Sequence, residues 1–137
     1  SRNCRAASCA ALPLRSLPVL AGCGAIKSNG ADMLRFIKAN MRNTTALSAS
    51  FIKTQQEIAG MPGGAIAYGW HIDKISGLVL GIDKIVWHNG GTGGFRSYIG
   101  FVPGSNMGIV VFANQVNDNF DDLAITLLFK VMTTTMQ

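Results

Sequence analysis

One short segment of this chain combines a histidine with a main chain that is almost bare of side chains. His88 is followed by glycine at four of the five positions 90–94, and apolar runs flank the segment on both sides. Glycine allows another group to approach the main chain closely because no Cβ stands in the way. In a strand, His88 and Gly90 would share one face, since side chains alternate. This composition suits the binding of an anion or an oxyanion.

A phosphate-binding loop is the alternative for these glycines. Gly91-x-Gly93 after an apolar run vaguely resembles a dinucleotide-binding loop, which requires a helix next, with its N-terminus facing the phosphates. Residues 95–102 instead place apolar side chains at the period of a strand. The pattern therefore disfavours phosphate binding.

Hydrophobic periodicity predicts the elements that hold this segment. Helices are predicted over 31–41, with Ser28 or Asn29 as the cap, over 45–58, and after Asp118. Strands are predicted at 65–72, 75–80, 84–89, 95–102 and 107–114. Residues 81–83 and 103–106 are connections of hairpin length, which favours an antiparallel sheet. The predicted fold is α+β, with about five strands, the last helix on one sheet face and the two earlier helices at its margin.

The glycine-rich segment and its flanks resemble a known family. His-Asn-Gly-Gly-Thr-Gly-Gly-Phe at 88–95 is similar to the third motif of the serine β-lactamase and penicillin-binding protein superfamily. That motif reads Lys-Thr-Gly in class C β-lactamases and His-x-Gly in related esterases and peptidases. Residues 24–36, 69–72 and 108–114 resemble segments that flank this motif in the family, and they occur in the same order.

The resemblance covers about residues 17–132 and corresponds to the C-terminal third of such proteins. It implies a partial β-lactamase/transpeptidase-like fold formed by residues 23–137. Residues 1–22 are expected to be an irregular N-terminal segment, because their prolines discourage regular structure. We interpret the chain as a fragment of a longer catalytic domain.

The resemblance also implies a serine hydrolase that acts on β-lactams, esters or small peptides through an acyl-enzyme. His88 falls where the family has a Lys or His that orients the substrate carboxylate or transfers a proton. Gly91 falls where the strand N–H donates to the oxyanion hole. The expected substrate contacts are Asn89, Gly90, Thr92 and Arg96.

The family nucleophile lies in a Ser-x-x-Lys motif near the start of the catalytic domain, and a Tyr-x-Asn motif assists it. The sequence contains no Tyr-x-Asn, and its one Ser-x-x-Lys is formed by Ser50 and Lys53, later than the family's position. We expect these two to be exposed helix residues and keep Ser50 as the alternative nucleophile. The second donor of the oxyanion hole should then be missing, because in the family it is the backbone N–H of the nucleophile. The other interpretation is a catalytically silent binding or assembly domain.

Composition limits the partners. A hydrophobic content of 48% with only 14% charged residues indicates a folded domain with much exposed apolar surface. The net charge is +5, and the positive residues, concentrated in 1–42, lack interleaved aromatics, which disfavours nucleic acid. No run approaches the roughly 20 apolar residues of a membrane span. An uncovered sheet edge favours a homodimer, a domain-swapped oligomer or binding of the missing N-terminal part.

The cysteines suggest neither a metal site nor a disulfide framework. Cys4, Cys9 and Cys23 are odd in number and lack histidines at ligand spacing. Residues 20–23 resemble a lipoprotein cleavage box, but prolines and an arginine interrupt the preceding apolar run. A loop is the preferred interpretation of residues 20–23. The two locations considered for the protein are the bacterial periplasm and the cytoplasm. No metal or cofactor is expected.

Overall fold

The computed structural model describes residues 24–42, 44–79, 81–115 and 118–135. The predicted N-terminal segment and the three cysteines lie outside these ranges. The helices are α1 (Gly30–Met41), α2 (Ser48–Thr54), α3 (Ile75–Val79) and α4 (Phe120–Thr135). The strands are β1 (Ala59–Met61), β2 (Gly64–Ile66), β3 (His71–Asp73), β4 (Ile85–Thr92), β5 (Phe95–Phe101) and β6 (Gly108–Ala113).

The six strands form one antiparallel sheet in the order of the sequence, and helices flank it. The predicted α+β class is therefore confirmed, with six strands where about five were expected. Gly93 and Gly94 form the two-residue connection between β4 and β5, with φ values of 53° and 94°. Two successive positive φ values are typical of a type I′ turn, whose twist matches that of the paired strands.

The two sheet faces are covered by different helices. α4 packs through Ala124, Leu128 and Met132 on the face that carries Trp87 and Tyr98. α1 packs through Ile37 and Met41 on the other face, against a different set of core residues: Ala65, Ile72, Val86 and Phe101. We call these two surfaces the α4 face and the α1 face. The expectation that α1 lies at the margin of the sheet is wrong, because Ile37 is fully buried in a core cluster.

α1 begins where its sequence predicts. The Asn29 side chain accepts a hydrogen bond from the Asp32 N–H at 3.0 Å, which satisfies one of the free donors of the first turn. At the other end, the Arg42 guanidinium donates to the Asn106 side-chain oxygen at 2.9 and 3.1 Å. These bonds attach the end of α1 to the connection between β5 and β6.

Three predicted elements differ from the structure. Residues 75–79 form α3 and not a strand, because the Asp73 carboxylate accepts from the Ser76 N–H at 2.9 Å and caps a helix. The predicted strand 65–72 is divided into β2 and β3 by a turn at Gly69, whose φ is 76°. The predicted helix 45–58 ends at Thr54, after which the chain enters β1.

Candidate active site

β4 has two different surroundings along its length. Its first three residues, Ile85–Trp87, pair with β3 on one side. β5 pairs with residues 86–92 on the other side. From His88 to Thr92 no strand among the described residues covers the side opposite β5. The glycine-rich half of the strand is therefore a sheet edge, while the other half lies inside the sheet.

The register fixes which backbone groups face this open edge. Thr92 and Phe95 flank a two-residue turn and form the closing pair of the hairpin, so both N–H groups face inward. Backbone direction alternates along a strand, which turns the N–H groups of Gly91 and Asn89 away from β5. Gly91 thus presents a donor at an edge with no side chain of its own.

His88 lies at the same edge and is exposed. Its Nδ1 is within hydrogen-bonding distance of the Asn89 carbonyl oxygen. A carbonyl only accepts, so Nδ1 carries a proton in this contact, and Nε2 of the neutral imidazole is an acceptor. A histidine in this tautomer can take a proton through Nε2.

A second histidine, which the sequence pattern did not indicate as a site residue, adjoins the first. His71 pairs with Trp87 across β3 and β4, and the centroids of the two rings are 4.6 Å apart. The His71 and His88 rings are 5.4 Å apart. Burial, and then the neighbouring His88, lower the pKa of His71 from its ordinary value of 6.5. The sequence placed His71 in a strand, but the pairing that brings it to β4 could not be read from spacing.

Asn89 and Arg96 project to the α4 face, opposite to His88. The Asn89 amide donates to the Asp121 carboxylate in the first turn of α4. Arg96 pairs with Gly91, and its guanidinium passes over that glycine beside a cavity of about 120 Å³ lined by Asp118, Phe120 and Asp121. The buried Arg96 Nε has no hydrogen-bond partner. Both side chains therefore lie between β4 and the first turn of α4 and not at the open edge.

The other two expected contacts lie on the same strand as His88. Gly90 and Thr92 share its face by alternation. The Thr92 methyl group lies against Gly24, since a Cβ at that glycine would come within 2.9 Å of it. This approach brings the segment before α1 to the end of the β4–β5 hairpin.

Ser50 and Lys53 do not join this group. Both lie on α2 and are exposed. α2 packs on α1 through an edge-to-face contact of Phe51 with Phe36, whose ring centroids are 6.0 Å apart. Within the described ranges, no hydrogen bond or ion pair connects Ser50 or Lys53 with β4.

Tyr98 closes the back of the site. It is 1% exposed and its ring stacks on Trp87 at 5.7 Å. Burial, followed by the carboxylates of Asp121 and Asp73, raises the pKa of its hydroxyl well above the ordinary value. Tyr98 therefore remains neutral and serves as a packed support.

The described residues offer neither a metal site nor a membrane-spanning helix. No group of three or more His, Cys, Asp or Glu side chains is placed to hold a metal ion. None of the described helices is long and apolar enough to span a bilayer.

Comparison with known proteins identifies the family of the chain. The family profile described as Beta-lactamase matches residues 3–131. Among curated proteins, the chain is similar to the unguisins hydrolase ungD' of Aspergillus campestris, with 26% identity over 112 residues. The match covers 75% of this chain and 20% of that hydrolase, so the chain spans about a fifth of the relative's length. The profile covers most of the residues printed here, and the chain therefore belongs to the beta-lactamase family.

Proposed function

We propose that this chain contributes the oxyanion-binding strand of a serine hydrolase active site. The observation that supports the proposal best is the open edge of β4, where the Gly91 N–H turns away from β5. A donor that the sheet does not use can bind an oxyanion without breaking a ladder hydrogen bond. Loss of one such donor in hydrolases slows the reaction by about 10²–10³-fold.

His88 is the proton-transfer group of this proposal. Its neutral tautomer leaves Nε2 as an acceptor at the same edge as the Gly91 N–H. The reaction would be acyl transfer: a serine oxygen attacks the substrate carbonyl while its proton passes to His88, and Gly91 binds the charged oxygen. The bond to the leaving group then breaks and that group takes the proton from His88. Water, giving its proton to His88, attacks the acyl-enzyme and releases the acid and the free serine by the same steps. Esters, β-lactams and small peptides are the proposed substrates. The similar fungal protein, named an unguisins hydrolase, supports hydrolysis as the reaction class.

The nucleophile is proposed to come from a Ser-x-x-Lys motif other than Ser50–Lys53. Both side chains are exposed on α2, and a nucleophile must lie within hydrogen-bond reach of its base. The isolated 137 residues should therefore hydrolyse p-nitrophenyl acetate and nitrocefin slowly if at all. Ser50→Ala should leave any such rate unchanged.

The donor role of Gly91 is tested by two variants, of which only one removes the backbone N–H. Gly91→Ala and Gly91→Pro both add a Cβ, but only proline removes the N–H, and a sheet edge tolerates proline where the N–H faces outward. Methylphosphonate serves as the oxyanion mimic, and ¹H–¹⁵N spectra report its binding. We expect the wild type and Gly91→Ala to bind and Gly91→Pro to lose at least tenfold in affinity. Equal binding by all three would contradict the donor role.

A second candidate function is a catalytically silent binding or assembly domain. The exposure of Ser50 and Lys53 favours it, because the one Ser-x-x-Lys of the chain then has no catalytic task. A fluorophosphonate probe separates the candidates when analysed by intact mass. Labelling of Ser50 would contradict both, and a longer product that contains β4 but remains unlabelled would favour the silent domain.

A further inference from the structure

Three stacked rings lead from the core of the domain to the open edge of β4. Tyr98 is buried on the α4 face and stacks on Trp87 with an interplanar angle of 14°. Trp87 in turn stacks on His71 at 26°. The last ring, His71, meets His88 at an angle of 47° and a centroid distance of 5.4 Å. His71 thus connects an exposed imidazole with a fixed aromatic column.

The His88 side chain needs such a support because β4 itself offers the imidazole few packing contacts. The pairing of β3 with β4 stops at Trp87, one residue before His88. In the described structure, no strand therefore lies beside the imidazole on that side. The described polar contact of the His88 ring is with the carbonyl of its own neighbour, Asn89. An exposed side chain without packing samples several rotamers, and fixing one of them lowers its entropy.

We propose that His71 is a positioning residue for His88: its ring, held on Trp87, confines the His88 imidazole to the rotamer in which Nδ1 donates to the Asn89 carbonyl and Nε2 remains available as an acceptor. The functional meaning of this inference rests on the proposed role of His88. Its structural content, the tautomer and rotamer of His88, does not depend on turnover.

The charges around His71 are compatible with this task. Burial and the neighbouring His88 lower the pKa of His71, so at neutral pH His71 does not place a positive charge beside the His88 ring. The other ionisable groups near this column are Asp73 on β3, Tyr98 on β5 and Asp121 on α4. Tyr98 stays neutral, and the Asp121 carboxylate accepts from the Asn89 amide.

The test reads the protonation of each His88 ring nitrogen by long-range ¹H–¹⁵N spectroscopy of the 137 residues at pH 8. Three variants are compared with the wild type. His71→Ala removes the supporting ring, and His71→Phe keeps a ring without nitrogens. Tyr68→Ala removes an exposed aromatic side chain from the loop before β3 and is the control.

The wild type should show His88 protonated at Nδ1. His71→Ala should move the population towards the Nε2-protonated tautomer by at least half, while His71→Phe and Tyr68→Ala should keep the wild-type pattern. Preservation of the Nδ1 tautomer in His71→Ala would overturn the inference. A loss of equal size in His71→Ala and His71→Phe would also overturn it, because the ring itself would then not be the positioning element.

Folding is followed separately by the amide signals of β5 and β6. If His71→Ala does not fold, His71→Leu, which fills space without a flat ring, takes its place and should show the same loss of the Nδ1 tautomer. In a longer active product, His71→Ala should lower kcat more than it changes KM, and His71→Phe should restore kcat. Failure of all activity with a normal tautomer pattern would count against the proposed function and leave the positioning role intact.

Discussion

Gly91 and Arg96 face each other across the β4–β5 hairpin, and the Arg96 guanidinium occupies the space that a side chain at position 91 would enter. The glycine thus serves two purposes at once. At the open edge of β4, it leaves the backbone N–H free of any side chain of its own. On the α4 face, it leaves room for the Arg96 side chain to cross β4 towards the first turn of α4.

This relationship predicts that Gly91→Ala is tolerated. The atom that a new Cβ would meet is the far end of a flexible side chain, which can rotate away, so the free energy of unfolding should change by less than about 0.5 kcal/mol. Gly64→Ala is the matched contrast, because its Cβ would meet the main-chain carbonyl oxygen of Ile72. We expect a loss of about 1–3 kcal/mol there, measured by urea unfolding. Equal effects of the two changes would contradict the described hairpin.

The lowered pKa of His71 predicts a pH dependence of stability. Below pH 6.5 the unfolded chain binds a proton at this position more readily than the folded chain does. The free energy of unfolding should therefore fall as the pH is lowered through 6.5 towards the pKa of the folded state. His71→Phe should flatten this part of the profile. His88→Asn should raise the pKa of His71, as followed by its imidazole signals, because the neighbouring charge is removed.

Two adjacent leucines of α4 test how this helix packs. Leu128 is fully buried against the sheet, and Leu127 is 40% exposed. Leu128→Ala should lower the free energy of unfolding by about 2–5 kcal/mol through lost burial and a residual cavity. Leu127→Ala should cost clearly less. Thermal unfolding measures both, and the reverse order would mean that α4 is rotated about its axis.

Self-association is expected from the uncovered surfaces. β6 pairs only with β5 among the described strands, and Phe112 on β6 and Leu123 and Leu127 on α4 are exposed. A homodimer or swapped oligomer should therefore be seen by light scattering at tens of micromolar. The double change Leu123→Glu and Leu127→Lys should shift it towards monomer. Leu78→Glu, at an 82% exposed position on α3, should have no effect. A monomeric wild type would contradict the expectation.

The strands on either side of the glycine-rich segment were predictable because their determinants are local, although the prediction ended the first strand at residue 89 and β4 continues to Thr92. Two adjacent glycines suit the type I′ turn that joins β4 and β5, and the apolar alternation on each side sets the pairing. Asn29 was likewise readable as a helix cap from its own sequence neighbourhood. In each of these cases the residues that decide the structure are adjacent in the chain.

The elements between residues 59 and 83 were not predictable in the same way. Ile75–Val79 is apolar and short, and a run of this length fits a strand or a helix until the Asp73 side chain caps it. That misassignment hid the pairing of His71 with Trp87, and with it the second histidine of the site. The contact of His71 with His88 depends on a strand pairing 16 residues apart, which neither residue type nor spacing specifies.

The division of β4 into a paired half and an open half separates folding from recognition within a single strand. Ile85 and Val86 are buried and anchor the strand, while the exposed positions that follow carry little of the core. Changes between His88 and Thr92 can therefore alter which molecules are bound without unfolding the domain. The converse also holds: loosening Val86 would displace the Gly91 donor without touching any ligand. Within the eight residues of β4, substitutions in the open half should therefore change ligand specificity. Substitutions in the paired half should instead make the position of the Gly91 N–H less well defined.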